Sequence, residues 1–219
     1  MRFSLIVFDW DGTLMDSEAR IVSCIEHAFV DVGRSPPSRD QARNVIGLGL
    51  EEAMAVLWPA GSAAERRRLI ESYRHRFLVG KEADSSLFPG AHEALEWLSD
   101  QGYLLAVATG KSRRGLDAAM ASTGLTSRFC ASRCADETFS KPHPEMLLQI
   151  MDELGVKAAD TLMVGDTEYD MEMARNAGAS ALAVCHGVHE RERLLRHRPL
   201  DCLASLFDVP SWFERSLAV

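Results

Sequence analysis

The stretch VFDWDGTLMDS, Val7–Ser17, ends the first apolar run of the chain, FSLIVF, with two carboxylates two places apart. Residues i and i+2 of an extended segment point the same way. Asp9 and Asp11 therefore share a side as the chain leaves a strand, and Trp10 turns away to pack. In open parallel sheets, ligands bind beyond the carboxyl ends of the strands. Two carboxylates held together there repel unless a cation or a shared proton relieves them. The pair predicts a metal site, a catalytic pair, or both. Gly12 permits a tight turn that brings backbone amides near a bound anion. The plainer alternative is that the two acids end a strand and cap the helix opening after Ser17.

The chain has 219 residues, 47% hydrophobic and 26% charged, which suits one large domain or one domain with an insert. Its net charge of -8 argues against a general nucleic-acid or membrane-surface binder. A small anionic ligand stays compatible with it, because a site can be locally positive. The N-terminal apolar run meets Asp9 too soon for a signal peptide. No stretch approaches the roughly 20 apolar residues of a membrane span. Cys24, Cys130, Cys134, Cys185 and Cys202 show no CxxC spacing. Free thiols in a reducing, cytoplasmic compartment are the expectation. Cys130 and Cys134 as half of a zinc site lack a second pair.

Continuous apolar runs at Phe3–Phe8, Tyr103–Thr109, Thr161–Gly165 and Ser180–Cys185, with a weaker one at Arg128–Ala131, read as strands buried on both faces. Helical patterns lie between them: AHEALEWLSDQG, GLDAAMASTG and PEMLLQIMDELG stop at Gly102, Gly124 and Gly155. The alternation predicts an α/β fold, a doubly wound parallel sheet. It lapses between Asp16 and Leu87, where SEARIVSCIEHAFVDVG, EEAMAVLW and AAERRRLIESYRHRFL read as helices and no strand is convincing. The expected organisation is a core of residues 1–15 and 88–219 with a helical insert at 16–87.

Further strand ends carry polar groups. VATGKS puts Thr109 and the Gly110 amide where phosphate oxygens are held. SKPHPE offers Lys141, and MVGDTEYDM ends a strand on Asp166, with Asp170 one helical turn later. Taken singly, Lys141 reads as a loop lysine, and Thr109, Asp166 and Asp170 read as helix caps. In this order, each at a strand end, they form one constellation.

DWDGTL, VATG, Lys141 in KPHPEM and GDTEYDM together resemble the haloacid dehalogenase-like hydrolase superfamily, and within it the phosphoglycolate-phosphatase-like branch. The resemblance spans essentially the whole chain, because the helical insert sits where that family's type 1 cap belongs. Trp10, in place of a more usual Phe or Met, is the one departure and bears on packing. The resemblance implies a Rossmann-like core, a mobile all-helical cap, Mg²⁺ and an aspartyl-phosphate intermediate. Asp9 is then the nucleophile and Asp11 the general acid and base. Thr109 and Gly110 hold phosphate oxygens, and Lys141 offsets negative charge. Asp9, the Asp11 carbonyl, Asp166 and, directly or through water, Asp170 hold the metal.

A dehalogenase has no use for an acid at Asp11. A phosphonate hydrolase needs a cap lysine, and the insert has Lys81 alone, near its end. A sugar phosphomutase shares every core residue and remains an alternative, as does a catalytically inactive binding module on the same fold. The partner is a small phosphate ester, with no nucleic acid or membrane, for a monomer or dimer. Substrate choice falls to the insert. RNVIGLGLEEAM is its expected substrate-facing loop, with Arg43 and Asn44 as candidates to meet a carboxylate or hydroxyl. HGVHERERL is expected at the rim of the site, with His186 and His189 as surface or structural residues rather than ligands.

Overall fold

The computed structural model describes residues 3–79 and 85–217. In chain order the first elements are β1 (Leu5–Phe8), β2 (Met15–Asp16), α1 (Glu18–Asp31), α2 (Arg39–Asn44), α3 (Leu50–Leu57), α4 (Ala63–Val79) and β3 (Ser86–Leu87). Then come α5 (Ala91–Asp100), β4 (Leu104–Thr109), α6 (Arg113–Thr123), β5 (Ala131–Cys134), α7 (Glu145–Leu154) and β6 (Thr161–Gly165). The chain finishes with α8 (Glu168–Asn176), β7 (Ser180–Val184), α9 (Arg191–Leu195), β8 (Cys202–Leu203) and α10 (Val209–Leu217).

Six strands form one parallel sheet in the order β5-β4-β1-β6-β7-β8. The central strand explains the unbroken apolar run. Ile6 and Phe8 join the cluster containing Leu95, Leu98 and Trp212, while Leu5 and Val7 join the one containing Met146, Ile150 and Met173. Helices cover both faces, so no position of β1 can be polar. Phe8 pairs in register with Val107 of β4 and Val164 of β6, so the carboxyl ends of all three strands open on one place.

Helices α1 to α4 form an all-helical cap around an apolar cluster that includes Ile21, Ile25, Phe29, Met54 and Leu69 and takes in Val188 from the core. At its base the outgoing and returning chain pair as a short antiparallel ribbon, Met15 with Leu87 and Asp16 with Ser86. These two-residue strands were not expected in a segment read as purely helical. They are held by the crossing of the two connections, which no local pattern announces.

Other boundaries also moved. The weak strand expected at Arg128–Ala131 lies at Ala131–Cys134. Phe129, before the strand, packs edge-on against the Trp10 ring at 6.2 Å. As the sheet's outer strand, ASRC buries only its two end residues. β8 is too short to show a period. Helix α2 falls where a loop was expected to begin; Ser38 and Gln41 close a reciprocal capping box at its start. Gly124 and Gly155 end α6 and α7 in the left-handed conformation, as their positions required.

Leu98 is fully buried between α5 and the sheet. Leu98→Ala should cost about 2–5 kcal/mol, read as a lower urea midpoint with an unchanged slope.

Candidate active site

Asp9 is the first residue beyond β1, and its amide still donates to the Val164 carbonyl at 2.9 Å. The chain then turns sharply: Leu14 and Met15 both donate to the Trp10 carbonyl, and Gly12 donates back to Met15. Gly12 has φ of 84°, and a Cβ there would fall 2.2 Å from Asp166 Oδ2. Glycine is needed for both reasons. Trp10 is wholly buried on the other side, as the alternation demanded.

Around Asp9 stand Lys141, Asp166 and Asp170, all essentially without solvent exposure. Lys141 Nζ lies 2.8 Å from Asp9 Oδ1 and 2.6 Å from Asp170 Oδ1. Asp170 Oδ2 accepts from the amide and hydroxyl of Thr167, closing the capping box of α8. Asp170 is thus both a helix cap and a member of the site. Asp166 Oδ1 accepts from the Thr13 hydroxyl and Oδ2 from the Val188 amide, each at 2.7 Å. Asp9 Oδ2 has no hydrogen-bond partner among the described residues.

Burial raises the Asp9 carboxyl well above its ordinary range; Lys141 opposes this, and Asp170 and Asp166 add to it. Asp166 is pushed up to about 7, first by burial and then by Asp170. Burial works to lower Lys141, but the facing carboxylates of Asp170 and Asp9 outweigh it and leave its affinity for a proton raised. The rise at Asp9 and Asp166 comes first from burial, and an imbalance of charge adds to it. A single ammonium serves three buried carboxylates, so it is over-supplied with anions while they remain under-supplied with cations. Carboxylate oxygens of Asp9, Asp166 and Asp170 lie within 4.8 Å of one another. An all-oxygen, net-negative donor set with an orphaned oxygen on Asp9 fits a hard divalent cation. It is the one such cluster among the described residues, and Cys130 and Cys134 join none.

Asp11 stands apart from that cluster. Its Oδ1 accepts from the Ser17 hydroxyl at 2.6 Å, and both its oxygens lie 2.9 Å from Lys111 Nζ. Lys111 was not singled out from the sequence. Its only signal was its place two residues after Thr109. Thr13 and the Val188 amide were missed as well, since neither residue type advertises a site.

A cavity of about 650 Å³ lies over these strand ends, lined on the core side by Asp9, Asp11, Thr109, Gly110 and Lys111. On the cap side Gly47, Leu48, Gly49, Tyr73 and Phe77 face it. The loop expected to face the substrate is there. A Cβ on Gly110 would come within 2.5 Å of the Leu48 carbonyl, and the Gly49 amide donates to the Ser140 hydroxyl at 2.7 Å. Arg43 and Asn44 have other places. Arg43 pairs with Glu18 at 2.9 Å and donates to the Val188 carbonyl. Asn44 accepts from Arg193 at 2.6 Å through its side chain and from the Tyr169 hydroxyl through its carbonyl. Neither lines the cavity. The HGVHERERL segment reaches the site through the Val188 amide. His189 is structural: its Nδ1 accepts from the Glu168 amide at 3.0 Å, and burial, then Arg193, push it down to about 4.

The family model for haloacid dehalogenase-like hydrolases matches residues 6–184. The chain belongs to that family. It is 39% identical over 199 residues to the probable phosphatase IndB of Dickeya dadantii, covering 89% of this chain and 86% of that one. It is 31% identical over 188 residues to a phosphoglycolate phosphatase of Agrobacterium fabrum, covering 84% and 81%. The crystal structure of a predicted phosphoglycolate phosphatase from Haemophilus somnus superposes with a TM-score of 0.86 at 24% identity, covering 97% and 99%. The cap lysine that a phosphonate hydrolase of this family would need, Lys81, lies outside the described residues.

The shift of Asp166 has a testable sign. Its folded value of about 7 exceeds the ordinary 3.8, so the folded state holds the proton more tightly. Its contribution to stability is present at low pH and lost as pH rises through that window. With a chelator present, Asp166→Asn should therefore gain thermal stability relative to wild type on going from pH 5 to pH 8. An equal difference at both pH values would contradict this.

Proposed function

We propose that this hydrolase is a Mg²⁺-dependent phosphatase that cleaves a small phosphate monoester through a phosphoryl group carried on Asp9. The observation that carries the reading is Asp9 itself. It is a buried carboxylate at a strand end that opens on a cavity, with one oxygen on Lys141 and the other without a partner.

In the first half-reaction an Asp9 oxygen bonds to phosphorus and the ester P–O bond breaks. The leaving oxygen takes a proton from Asp11. In the second, Asp11 takes a proton from water, the water oxygen bonds to phosphorus, and the Asp9–phosphorus bond breaks to release inorganic phosphate. Thr109 and the Gly110 amide hold the phosphoryl oxygens, and Lys141 keeps the Asp9 oxygens and phosphoryl charge compatible. Asp9, the Asp11 carbonyl, Asp166 and, directly or through water, Asp170 would hold Mg²⁺, which would supply further charge neutralisation. The cap, residues 16–87, acts as a lid on the core of 1–15 and 88–219, excluding water during transfer. Its apolar cluster, which takes only Val188 from the core, and its ribbon of paired connections support that division.

Phosphoglycolate, printed in the names of several relatives, is one candidate substrate. A sugar phosphomutase is a second reading, supported by Lys111, Arg74 and Arg114 in the cavity wall, where a second phosphate would need cations. Product analysis separates the two. Net release of inorganic phosphate supports the phosphatase, and isomerisation of a sugar phosphate with a bisphosphate activator supports the mutase. An inactive binding module would turn over neither. The free thiols at all five cysteines support a reducing, cytoplasmic setting. No helix among the described residues is long and apolar enough to cross a membrane.

Phosphate release from p-nitrophenyl phosphate should require Mg²⁺ and stop in excess EDTA. Asp9→Asn should lower turnover by far more than tenfold, that is by more than about 1.4 kcal/mol. Mass spectrometry of trapped enzyme should place the phosphoryl group on Asp9. Gly110→Ala removes no charge, but its Cβ would meet the Leu48 carbonyl at 2.5 Å. It should keep the cap from seating, with a lower kcat/KM and a larger radius of gyration by X-ray scattering.

A further inference from the structure

We propose that Lys111 is a positioning residue for Asp11, and that Phe77 of the cap completes its hold when the cap is seated. The inference rests on the reading of Asp11 as general acid and base. A carboxylate at the end of an Asp side chain rotates easily, because the torsion that turns it has only broad minima. A proton donor needs its oxygen aimed at the leaving group within hydrogen-bond reach. Lys111 supplies that aim. Its Nζ sits 2.9 Å from both Asp11 oxygens, and Ser17 adds a bond of 2.6 Å to Oδ1. The side chains of Lys111 and Asp11 are 8% and 10% exposed, so water competes little for either.

The arrangement separates the two acids electrostatically. Lys141 serves Asp9 and Asp170, while Lys111 serves Asp11. Each acid has its own ammonium, and neither cation is shared between the two. Lys111 is well placed to be rigid, since it follows β4 directly and its amide donates to the Thr109 hydroxyl at 3.2 Å.

The cap enters through Phe77, in the last turn of α4. The Lys111 ammonium lies 4.8 Å from the centre of its ring. Phe77 is itself fixed by Arg20 of α1, which donates to its carbonyl at 2.8 Å and lies 4.7 Å from its ring. An aromatic ring against the ammonium attracts it and displaces water, which strengthens the pair beneath. Asp11 and Lys111 belong to the core and Phe77 to the cap, so this contact forms only with the cap down. Closure thereby orders the residue that must deliver the proton.

A leaving-group series tests this. The Mg²⁺-loaded wild type, Lys111→Met, Lys111→Arg and Phe77→Leu are assayed on phenyl phosphates graded from p-nitrophenyl to unsubstituted phenyl. A good leaving group needs little help from an acid and a poor one needs much. Lys111→Met should lose at least about tenfold more kcat/KM on phenyl than on p-nitrophenyl phosphate, a fraction of the 10²–10⁴ that general acids contribute. Phe77→Leu should move the same way by less, and Lys111→Arg should recover the wild-type dependence. Equal losses across the series for both Lys111→Met and Phe77→Leu overturn the proposal. So does a loss confined to KM, which would make Lys111 a substrate-binding residue. If Lys111→Met does not fold, the Phe77→Leu series decides. Failure of the wild type on every member would instead overturn the phosphatase reading.

Discussion

A lone ammonium among three buried carboxylates is the constraint on which the rest of this structure depends. Lys141 lies between Asp9 and Asp170, with Asp166 close by, all sealed from water. Burying charges is tolerable only when they are paired and hydrogen-bonded. Here the pairing is incomplete by design of the sequence, and the surrounding fold supplies partial remedies. Thr13 and the Val188 amide hold Asp166, and the α8 capping box holds Asp170. Asp9 receives less. The oxygen left over leaves an electrostatic deficit at the strand end, and a hard cation would relieve it.

The parallel sheet makes such a cluster possible. β1 lies between β4 and β6 in matching register, so three strand ends deliver Asp9, Thr109 and Asp166 to one place without any long side chain reaching across. Lys141 comes from the loop beyond β5 and reaches Asp9 and Asp170 with its ammonium. The helix after β6 then adds Asp170 at the third position of its first turn, where a carboxylate is welcome for a separate reason. It caps the exposed amides and meets the positive end of the helix dipole. The local and the functional demands on Asp170 agree, which removes any conflict between folding and chemistry at that residue.

The cap solves a different problem. Its four helices pack around apolar residues joined by Val188 of the core, and it also meets the core through the backbone of Gly47–Gly49, the Phe77–Lys111 contact, and the Asn44 contacts with Arg193 and Tyr169. Apart from Val188, the named contacts are largely polar. Arg43 and Asn44, expected at the substrate, are spent on this seam instead. The cations that do line the cavity, Lys111, Arg74 and Arg114, come from the core and from α4.

The fold class and the core of the site were legible in the chain because both depend on local order. Apolar runs, glycine stops and acids at strand ends are short-range signals. Asp9, Asp11, Thr109 and Asp166 stand at or just past such ends, Lys141 in the loop beyond β5 and Asp170 in the first turn of α8, and the Trp10 alternation followed from the period of a strand. What the tertiary structure alone decided were pairings between residues far apart. Lys111 meets Asp11 across 100 positions and Thr13 meets Asp166 across 153. A lysine in a loop is ordinarily solvated, and a threonine in a turn ordinarily caps. Only the register of β1 with β4 and β6 brings these groups within hydrogen-bond reach. The same reason explains Arg43: its charge marked it as a binder, but packing against Glu18 and Val188 had already taken its donors.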